Sequence, residues 1–319
     1  MKTNYLFRLL FLFVILVLAS CQKDDNQIIL DSQEIVPENV LEQISALGYS
    51  TVGVVPIETY ENGMGYLVEG DIILHPNNLN FEPDQGTYLR IAEEEQYSTT
   101  YTPEFNARTY NGVLYKEELI IALDESLPNH YINALQRAAN RYNALNLDFK
   151  VVARWEGDLV RNLRDITVRP TNQGLASAGF PIVEETTVTS CPRGQGCQTV
   201  TRTTITAYNE ILINPAAVNS NDIDYIATIL AHETGHCIGF RHTDYFNRRL
   251  SCGIEYFPNG TPTTGNEDVD FPNTEGAVHI PGTPTGEDEN SFMLACIDHN
   301  ENRPFTNNDQ TALIYLHGL

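Results

Sequence analysis

Three histidines and one glutamate lie within residues 232–242, which read HETGHCIGFRH. Residues four apart in an α-helix are separated by about 40° around the axis and about 6 Å along it, so His232 and His236 project from one face. Two imidazoles placed in this way can bind one metal ion. Glu233 follows the first histidine and can reach a water on that metal, which makes it the candidate general base.

Gly239 explains how a third ligand reaches the same metal. Helices commonly end on a residue with positive φ, a conformation that glycine adopts without a Cβ penalty. The chain can therefore turn there and return His242 toward the metal. Three protein ligands leave one position for water, as in catalytic rather than structural zinc sites. These five positions match by chance in roughly one chain in ten thousand of this length, and surface histidines on an ordinary helix are the alternative.

The motif H-E-x-x-H-x-x-G-x-x-H resembles that of the metzincin zinc metallopeptidases. The longer phrase HETGHCIGFRHTD, with VHIPGTP downstream, looks most like the bacterial dual-action HEIGH metallopeptidases, near astacins and matrixins. Metzincins carry a methionine turn beneath the zinc-binding imidazoles, and Met293 in SFMLACI is the candidate here, although a methionine in an apolar run is otherwise ordinary core. The resemblance implies one catalytic zinc, held by His232, His236 and His242, and a peptide or protein substrate.

Elements around the motif predict an α+β fold. The resemblance implies a metzincin-like zincin catalytic domain, with a twisted mixed sheet, two long helices and a small C-terminal subdomain. Hydrophobic periodicity predicts helices over residues 130–145, from Asn221 or Asp222 through the histidine motif, and over 308–316. The predicted strands are 119–122, 147–153, 166–169 and 210–214, of which the last is expected to border the cleft.

The N-terminus predicts export. Lys2 and Arg8 precede or flank the apolar run 9–18, which is too short to span a bilayer and typical of a signal peptide. Residues 18–21 (LASC) resemble a lipobox, which implies lipidation of Cys21 and a lipid anchor, whereas an ordinary secretory signal is the alternative. The following QKDD resembles a surface-export tag of some Gram-negative lipoproteins, or is a solvated charged linker. We expect an exported bacterial lipoprotein on the outer membrane and at the cell surface.

The domain plan that follows has a signal peptide at 1–20, a linker and prosegment at 21–108, and a catalytic domain at 109–319. The catalytic domain divides into an upper subdomain, 109–242, and a lower one, 243–319. Within the prosegment, YLVEGDIIL at 66–74 resembles the F-E-G-D-I element of astacin propeptides. Asp71 would then occupy the open zinc position and keep the enzyme latent, although a Gly-Asp turn between strands is an adequate alternative, and the phenylalanine is absent.

Cysteine positions exclude one kind of latency and predict disulfides. No cysteine lies between Cys21 and Cys191, so a prosegment thiol cannot cap the zinc. Cys191 and Cys197 flank a turn-rich segment between threonine-rich stretches and are expected to close a hairpin. Cys252 and Cys296 are the second expected pair, which leaves Cys237 as a buried thiol; other pairings among these three stay open.

The chain is strongly acidic, with a net charge of −23. Nucleic acid and an anionic membrane surface are therefore excluded as electrostatic partners, and a monomer is expected. Acidic clusters at 93–95, 267–270 and 287–289 are most simply solvated loops. The latter two also offer the hard oxygen ligands of structural calcium, although no spacing specifies a calcium loop.

One departure from the family concerns the residue after the methionine turn. Astacin-like sites carry a tyrosine two residues beyond the methionine, where this chain has Ala295. Tyr245 and Tyr256 lie between the two motifs but are more typical of packing residues. The sequence thus favours a zinc endopeptidase, and the alternative is a non-catalytic surface binding lipoprotein on a metzincin scaffold. Glu233 favours the enzyme, because a retired peptidase commonly loses its general base.

Overall fold

An eight-stranded mixed sheet organises the chain, and two long helices pack together beside it. A computed structural model of the protein describes residues 36–47, 49–79, 97–98, 103, 105, 108–110, 113–159, 163–191, 197–244, 249–253, 278–283 and 288–319. The described residues lie within one compact unit, Val36–Leu319. No helix among them is both long and apolar enough to cross a membrane.

The strands of the described residues follow one another in chain order. They are β1 Val55–Thr59, β2 Gly63–Val68, β3 Ile72–Leu74, β4 Tyr97–Ser98, β5 Arg108–Tyr110, β6 Val113–Tyr115, β7 Glu117–Leu123, β8 Phe149–Trp155, β9 Ile166–Pro170, β10 Ala176–Gly179, β11 Ile182–Ser190, β12 Gln198–Thr206, β13 Glu210–Ile213 and β14 Val278–His279. The main sheet has the order β1-β2-β3-β10-β13-β9-β7-β8. Its β1-β2, β2-β3 and β10-β13 pairs are antiparallel, and the other neighbours are parallel.

The helices of the described residues are α1 Glu38–Ala46, α2 Pro76–Leu79, α3 Tyr131–Asn143, α4 Pro215–Val218, α5 Ile223–Cys237, α6 Arg249–Cys252 and α7 Asn307–His317. The helix α3 contacts β8 and α5, and α5 contacts β10 and β13. The hydroxyl of Tyr142 on α3 donates to the carbonyl of Ala231 on α5 at 2.8 Å. Their shared apolar core holds α5 in a fixed position relative to the sheet.

Residues 36–79 build part of the main sheet. Strand β3 pairs in parallel with β10, with Ile72 opposite Ala178. The side chains of Ile44, Val68 and Ile72 are fully buried in a second apolar cluster, and Phe180 packs against it. The segment that the sequence assigns to the prosegment is therefore integrated with the rest of the fold, and its proposed end near residue 108 stays a prediction.

The expectation that residues 210–214 border the cleft is wrong. Strand β13 lies between β10 and β9, so it is not the strand nearest the cleft. Leu175 and Ala176, at the start of β10, line the cavity beside the histidines instead. The sequence Ala-Ser-Ala-Gly of β10 lacks the branched and aromatic residues that identify strands, which is why periodicity misses it.

Strands β11 and β12 form a long hairpin that the Cys191–Cys197 disulfide closes. Exposed threonines face each other across the two strands, and Thr189 Oγ1 lies 3.1 Å from Thr199 Oγ1. The second disulfide joins Cys252 on α6 to Cys296, while Cys237 is a buried free thiol. Both pairs are those that the sequence predicts.

Close packing beneath α5 depends on a glycine that sequence reasoning did not single out. A Cβ built on Gly235 would lie 2.5 Å from Met293 Sδ and 3.1 Å from Phe292 Cε2. Both of these residues are at most 1% exposed, so neither has free space into which to move. Only glycine lets the segment 291–294 approach the helix this closely.

We expect Gly235→Ala to destabilise the protein even though alanine is the better helix former. The gain in helix propensity is about 1 kcal/mol at most, whereas overpacking a well-filled core costs about 1 to 3 kcal/mol. Calorimetric unfolding of Gly235→Ala, Met293→Ala and the double variant measures both terms. A double variant that recovers stability relative to Gly235→Ala identifies the contact with Met293 as the cause, and strict additivity contradicts it.

Candidate metal centre

Helix α5 carries the first two histidines of the motif. Its N-cap is Asp222, whose side chain accepts from the backbone N–H groups of Asp224 and Tyr225 at 2.8 and 3.3 Å. Every residue from Tyr225 to the end of α5 is buried. His232 and His236 therefore project from a rigid helix that is packed on all sides.

The chain reverses direction at Gly239, as the sequence predicts. Gly239 has φ of 107°, and the N–H of Phe240 bonds back to the carbonyl of Gly235 at 2.9 Å. This turn returns the third histidine, His242, to α5, where it is fully buried.

Backbone carbonyls orient two of the three rings. Nδ1 of His232 donates to the carbonyl of Phe292, and Nδ1 of His236 donates to the carbonyl of Phe240, both at 2.8 Å. Because a carbonyl oxygen can only accept, the ring proton of each neutral imidazole is on Nδ1. The lone pair of each Nε2 is therefore available to a metal, as in zinc sites where the outer ring nitrogen is held by a second partner.

The three Nε2 atoms converge on one point. Nε2 of His236 lies 3.1 Å from that of His232 and 3.2 Å from that of His242. Imidazole nitrogens that meet around one buried point in this way are arranged as ligands of a single metal ion. Together with one oxygen of Asp71, the ligand atoms all lie within 4.8 Å of one another. Three imidazoles and a carboxylate are a donor set that fits one zinc ion.

The tip of the β2–β3 hairpin brings Asp71 to this point. Oδ2 of Asp71 lies 2.9 Å from Nε2 of His242 and 3.2 Å from Nε2 of His232. The turn has positive φ at both Glu69, 54°, and Gly70, 97°. The carbonyl of Asp71 also accepts from the N–H of Ala178 on β10 at 2.9 Å, which fixes the tip against the edge of that strand.

Burial and charge set the protonation of the cluster. Burial would raise the pKa of Asp71, but the three histidines outweigh it and hold that pKa well below its usual value. Burial lowers the pKa of His236 to about 4. Burial would also lower the pKa of His242, but Asp71 and Glu69 outweigh it and raise that pKa to about 9. The carboxylate of Asp71 is thus ionised and can bind a cation.

Glu233 lies beside the converging nitrogens and faces the cavity. It is 2% exposed, and its Oε2 has no hydrogen-bond partner among the described residues. Burial, followed by the charge of Asp71, raises its pKa well above the usual value. A cavity of about 260 Å³ runs from His232 and Glu233 toward Arg303. A carboxylate in this position can exchange a proton with a molecule bound in the cavity.

Met293 is fully buried against α5, where a Cβ on Gly235 would lie 2.5 Å from its Sδ. Its carbonyl accepts from the N–H of Thr243 at 3.0 Å, which ties this turn to the end of the motif. Asp309 holds the turn from the other side, because it accepts from Ser291 Oγ at 2.7 Å and from the N–H of Phe292 at 3.2 Å. Asp309 also completes a capping box with Thr306. The T-x-x-D spacing is a sequence signal for that box, but sequence reasoning did not use it.

A buried ion pair adjoins the metal centre and was not predicted. The guanidinium of Arg241 lies 3.4 Å from Oε1 of Glu69 and 4.0 Å from the centre of the Tyr49 ring. The other carboxylate oxygen, Oε2, is 3.5 Å from Nδ1 of His242. Glu69 and Tyr49 both belong to residues 36–79, whereas Arg241 and His242 belong to the histidine motif. Sequence spacing carries no signal for this pair, since 172 positions separate its members.

The remaining residues that the sequence singles out lie either at the edge of the cavity, on the protein surface or outside the described residues. The N–H of Ala295 donates to Oδ1 of Asp244 at 2.9 Å, and Ala295 lines the cavity without supplying a hydroxyl. Oδ2 of Asp288 accepts from Thr306 and Asn308. The remaining sites lie outside the described residues, so their roles, and structural calcium, stay predictions: Cys21, Tyr245, Tyr256 and the acidic clusters at 93–95 and 267–270.

The chain is similar to known proteins in sequence and in structure. A sequence profile of the dual-action HEIGH metallo-peptidases matches residues 88–317. Among solved structures, one of myroilysin is 12% identical over 63% of this chain and 92% of its own, with a TM-score of 0.36. The zinc-protease hatching enzyme HCE-1 of the medaka Oryzias latipes is 11% identical over 66% of this chain and 98% of its own, with a TM-score of 0.33. No curated protein matches.

The family match spans most of the chain and includes all three motif histidines. It confirms the metzincin resemblance and the α+β zincin fold that the sequence predicts. The buried group of three histidines and one aspartate fits the single zinc ion that such an enzyme uses. The chain belongs to the dual-action HEIGH metallo-peptidase family and is a zinc metallopeptidase that acts on peptides or proteins.

Proposed function

We propose that the chain is a zinc-dependent endopeptidase in which Glu233 is the general base. The observation that carries this proposal is the convergence of three Nε2 atoms beside a buried carboxylate that faces the cavity. His232, His236 and His242 would hold the zinc ion. When bound, zinc supplies a Lewis acid for the scissile carbonyl and makes water more acidic.

Glu233 then transfers one proton from the attacking water to the leaving amine. Glu233 takes it from the attacking water, whose oxygen forms the new bond to the carbonyl carbon. The bond from that carbon to nitrogen breaks, and Glu233 passes the proton to the departing amine. The charge of Asp71 contributes to the raised pKa of Glu233, so loss of that charge would lower the pKa and favour the ionised carboxylate that takes the proton.

We also propose that Asp71 keeps the enzyme latent. Its carboxylate faces the same point as the three Nε2 atoms, so it would hold the zinc position that the reaction needs. Its hairpin also lies along β10, at the edge of the cavity. Residues 36–79 would therefore exclude the substrate both at the metal and along the strand.

Replacing Glu233 with glutamine is expected to remove activity and leave the metal in place. General acid–base catalysis contributes about 10²- to 10⁴-fold, and the amide cannot take the proton. The full chain is assayed before and after limited proteolysis on a broad peptide mixture read by mass spectrometry, with zinc content by elemental analysis. Glu118→Gln, which changes an exposed glutamate, is the matched control. Retained cleavage by Glu233→Gln, with zinc bound, contradicts the assignment.

Replacing Asp71 with alanine is expected to activate the full chain. The three histidines still bind zinc, and loss of the carboxylate opens the fourth position. We expect at least about tenfold faster peptide cleavage without removal of any segment, which corresponds to a shift of about 1.4 kcal/mol in the latent equilibrium. Asp158→Ala, at an exposed aspartate, is the control. If only removal of residues 36–79 activates the enzyme, Asp71 is not the cap.

We further propose that the enzyme is an exported lipoprotein of the bacterial outer membrane. The support is the sequence alone: two basic residues around a short apolar run, followed by the lipobox-like LASC that ends at Cys21. Several acyl chains on that cysteine would give a stable anchor, which one chain alone does not.

Replacing Cys21 with serine is expected to release the protein from membranes. In cells fed a labelled fatty acid, the unmodified chain should carry the label and sediment with the membrane fraction, while Cys21→Ser should carry none. Cys237→Ser, which changes a buried cysteine, should behave as the unmodified chain. An unlabelled, soluble wild-type protein would rule out the anchor.

A further inference from the structure

Two donors of the histidine motif converge on one carboxylate next to the metal centre. Nη2 of Arg241 lies 3.4 and 3.5 Å from the two oxygens of Glu69, and Nδ1 of His242 lies 3.5 Å from Oε2. Both donors belong to the catalytic portion of the chain, whereas Glu69 belongs to the β2–β3 hairpin. The histidine motif thus binds the carboxylate of Glu69 in the way that it would bind a carboxylate of another molecule.

The chemistry of the two donors selects an anion. Arg241 carries a permanent charge, and its guanidinium can bind a carboxylate through more than one N–H. Nε2 of His242 faces the metal centre, and a histidine that offers Nε2 to a metal keeps its proton on Nδ1. That nitrogen lies 3.5 Å from Oε2 of Glu69. A neutral or cationic side chain in the same place would leave both donors facing no negative partner.

The hairpin adopts an unfavourable conformation to deliver this carboxylate. Glu69 has φ of 54°, in the left-handed region that residues with a Cβ rarely adopt. Its side chain is nevertheless fully buried against Arg241, whose other face is covered by Tyr49. Ser50 adds a third contact, because its N–H donates to Oε1 of Glu69 at 3.3 Å. The conformation persists because these contacts stabilise it.

We propose that Arg241 and His242 form a subsite for an acidic side chain of the peptide substrate, which Glu69 occupies while residues 36–79 remain in place. This inference rests on the proposed endopeptidase function. Glu69 stands two residues from Asp71, the residue that faces the metal centre, so the preferred acidic residue lies about two positions from the scissile bond. Removal of the segment takes Glu69, Tyr49 and Ser50 away together and opens the subsite.

The overall charge of the chain opposes acidic peptides only at a distance. A net charge of −23 slows their approach, but salt screens charges beyond a Debye length of about 8 Å at physiological ionic strength. Within contact distance, the local donors decide which side chain is bound. Selection therefore depends on Arg241 rather than on net charge.

Chemical rescue of the full chain tests the subsite without relying on activity. Glu69→Ala leaves space for a small carboxylate, and propionate is the probe. We expect propionate to raise the melting temperature of Glu69→Ala by about 2 to 4 °C over chloride at equal ionic strength, because it binds only the folded state. It should not raise that of the wild type, of Glu69→Ala/Arg241→Gln, or of Glu58→Ala, a control at an exposed glutamate of the same segment. Equal rises in all four proteins, or no rise in Glu69→Ala, overturn the proposal.

Paired peptides test the same subsite in catalysis. After limited proteolysis of the full chain, kcat/KM is compared for peptides that differ only by glutamate or glutamine two positions from the cleaved bond. We expect about a tenfold preference for glutamate, retained in Arg241→Lys and reduced to about one in Arg241→Gln. Equal cleavage of both peptides by the wild type overturns this inference and leaves the peptidase intact. If neither peptide is cleaved, the proposed function fails, and the propionate experiment still tests the subsite. The propionate experiment on Glu69→Ala also tests the subsite if Arg241→Gln does not fold.

Discussion

The convergence of three imidazole nitrogens on one buried point is the constraint on which the rest of this structure depends. Nε2 of His236 lies 3.1 Å from that of His232 and 3.2 Å from that of His242, an arrangement that suits the binding of one cation. No single element could hold that arrangement. The rigid helix α5 supplies two of the rings, and the turn at Gly239 supplies the third, so the site exists only when tertiary packing is complete.

The surroundings of the rings are equally constrained. Carbonyls of Phe292 and Phe240 fix the tautomers of two rings, and the first of these carbonyls belongs to the turn that Asp309 holds from below. The missing side chain of Gly235 lets that turn approach the helix. A change in any of these contacts would rotate a ring away from the common point, because each ring has one outer nitrogen and one partner that orients it.

The sequence predicts the parts of this structure that local spacing determines. Ligand spacing four and six residues apart identifies the three histidines, and apolar periodicity identifies α3, α5 and α7. Cysteine positions predict the Cys191–Cys197 disulfide and favour Cys252–Cys296 among pairings that they leave open. The rest depends on contacts between distant segments. The small residues of β10 give no strand signal in the sequence, and only its pairing with β3 and β13 defines it as a strand. The Glu69–Arg241 pair joins positions 172 residues apart. Gly235 is visible in the motif, but only the packed position of Met293 shows why no side chain fits there.

The pairing of β3 with β10 bears on how long an activated molecule survives. If activation removes β3, the N–H of Ala178 would lose its acceptor on Asp71, and β10 would become an open strand edge on which other chains can assemble. Phe180 would lose its contact with the apolar cluster around Ile44 and Ile72 at the same time. An enzyme activated by loss of this segment would be less stable than its precursor, and the rate of unfolding or association would set its lifetime. Activation by loss of this segment would therefore also limit the lifetime of the active enzyme, and so the duration of proteolysis, without a separate inhibitor.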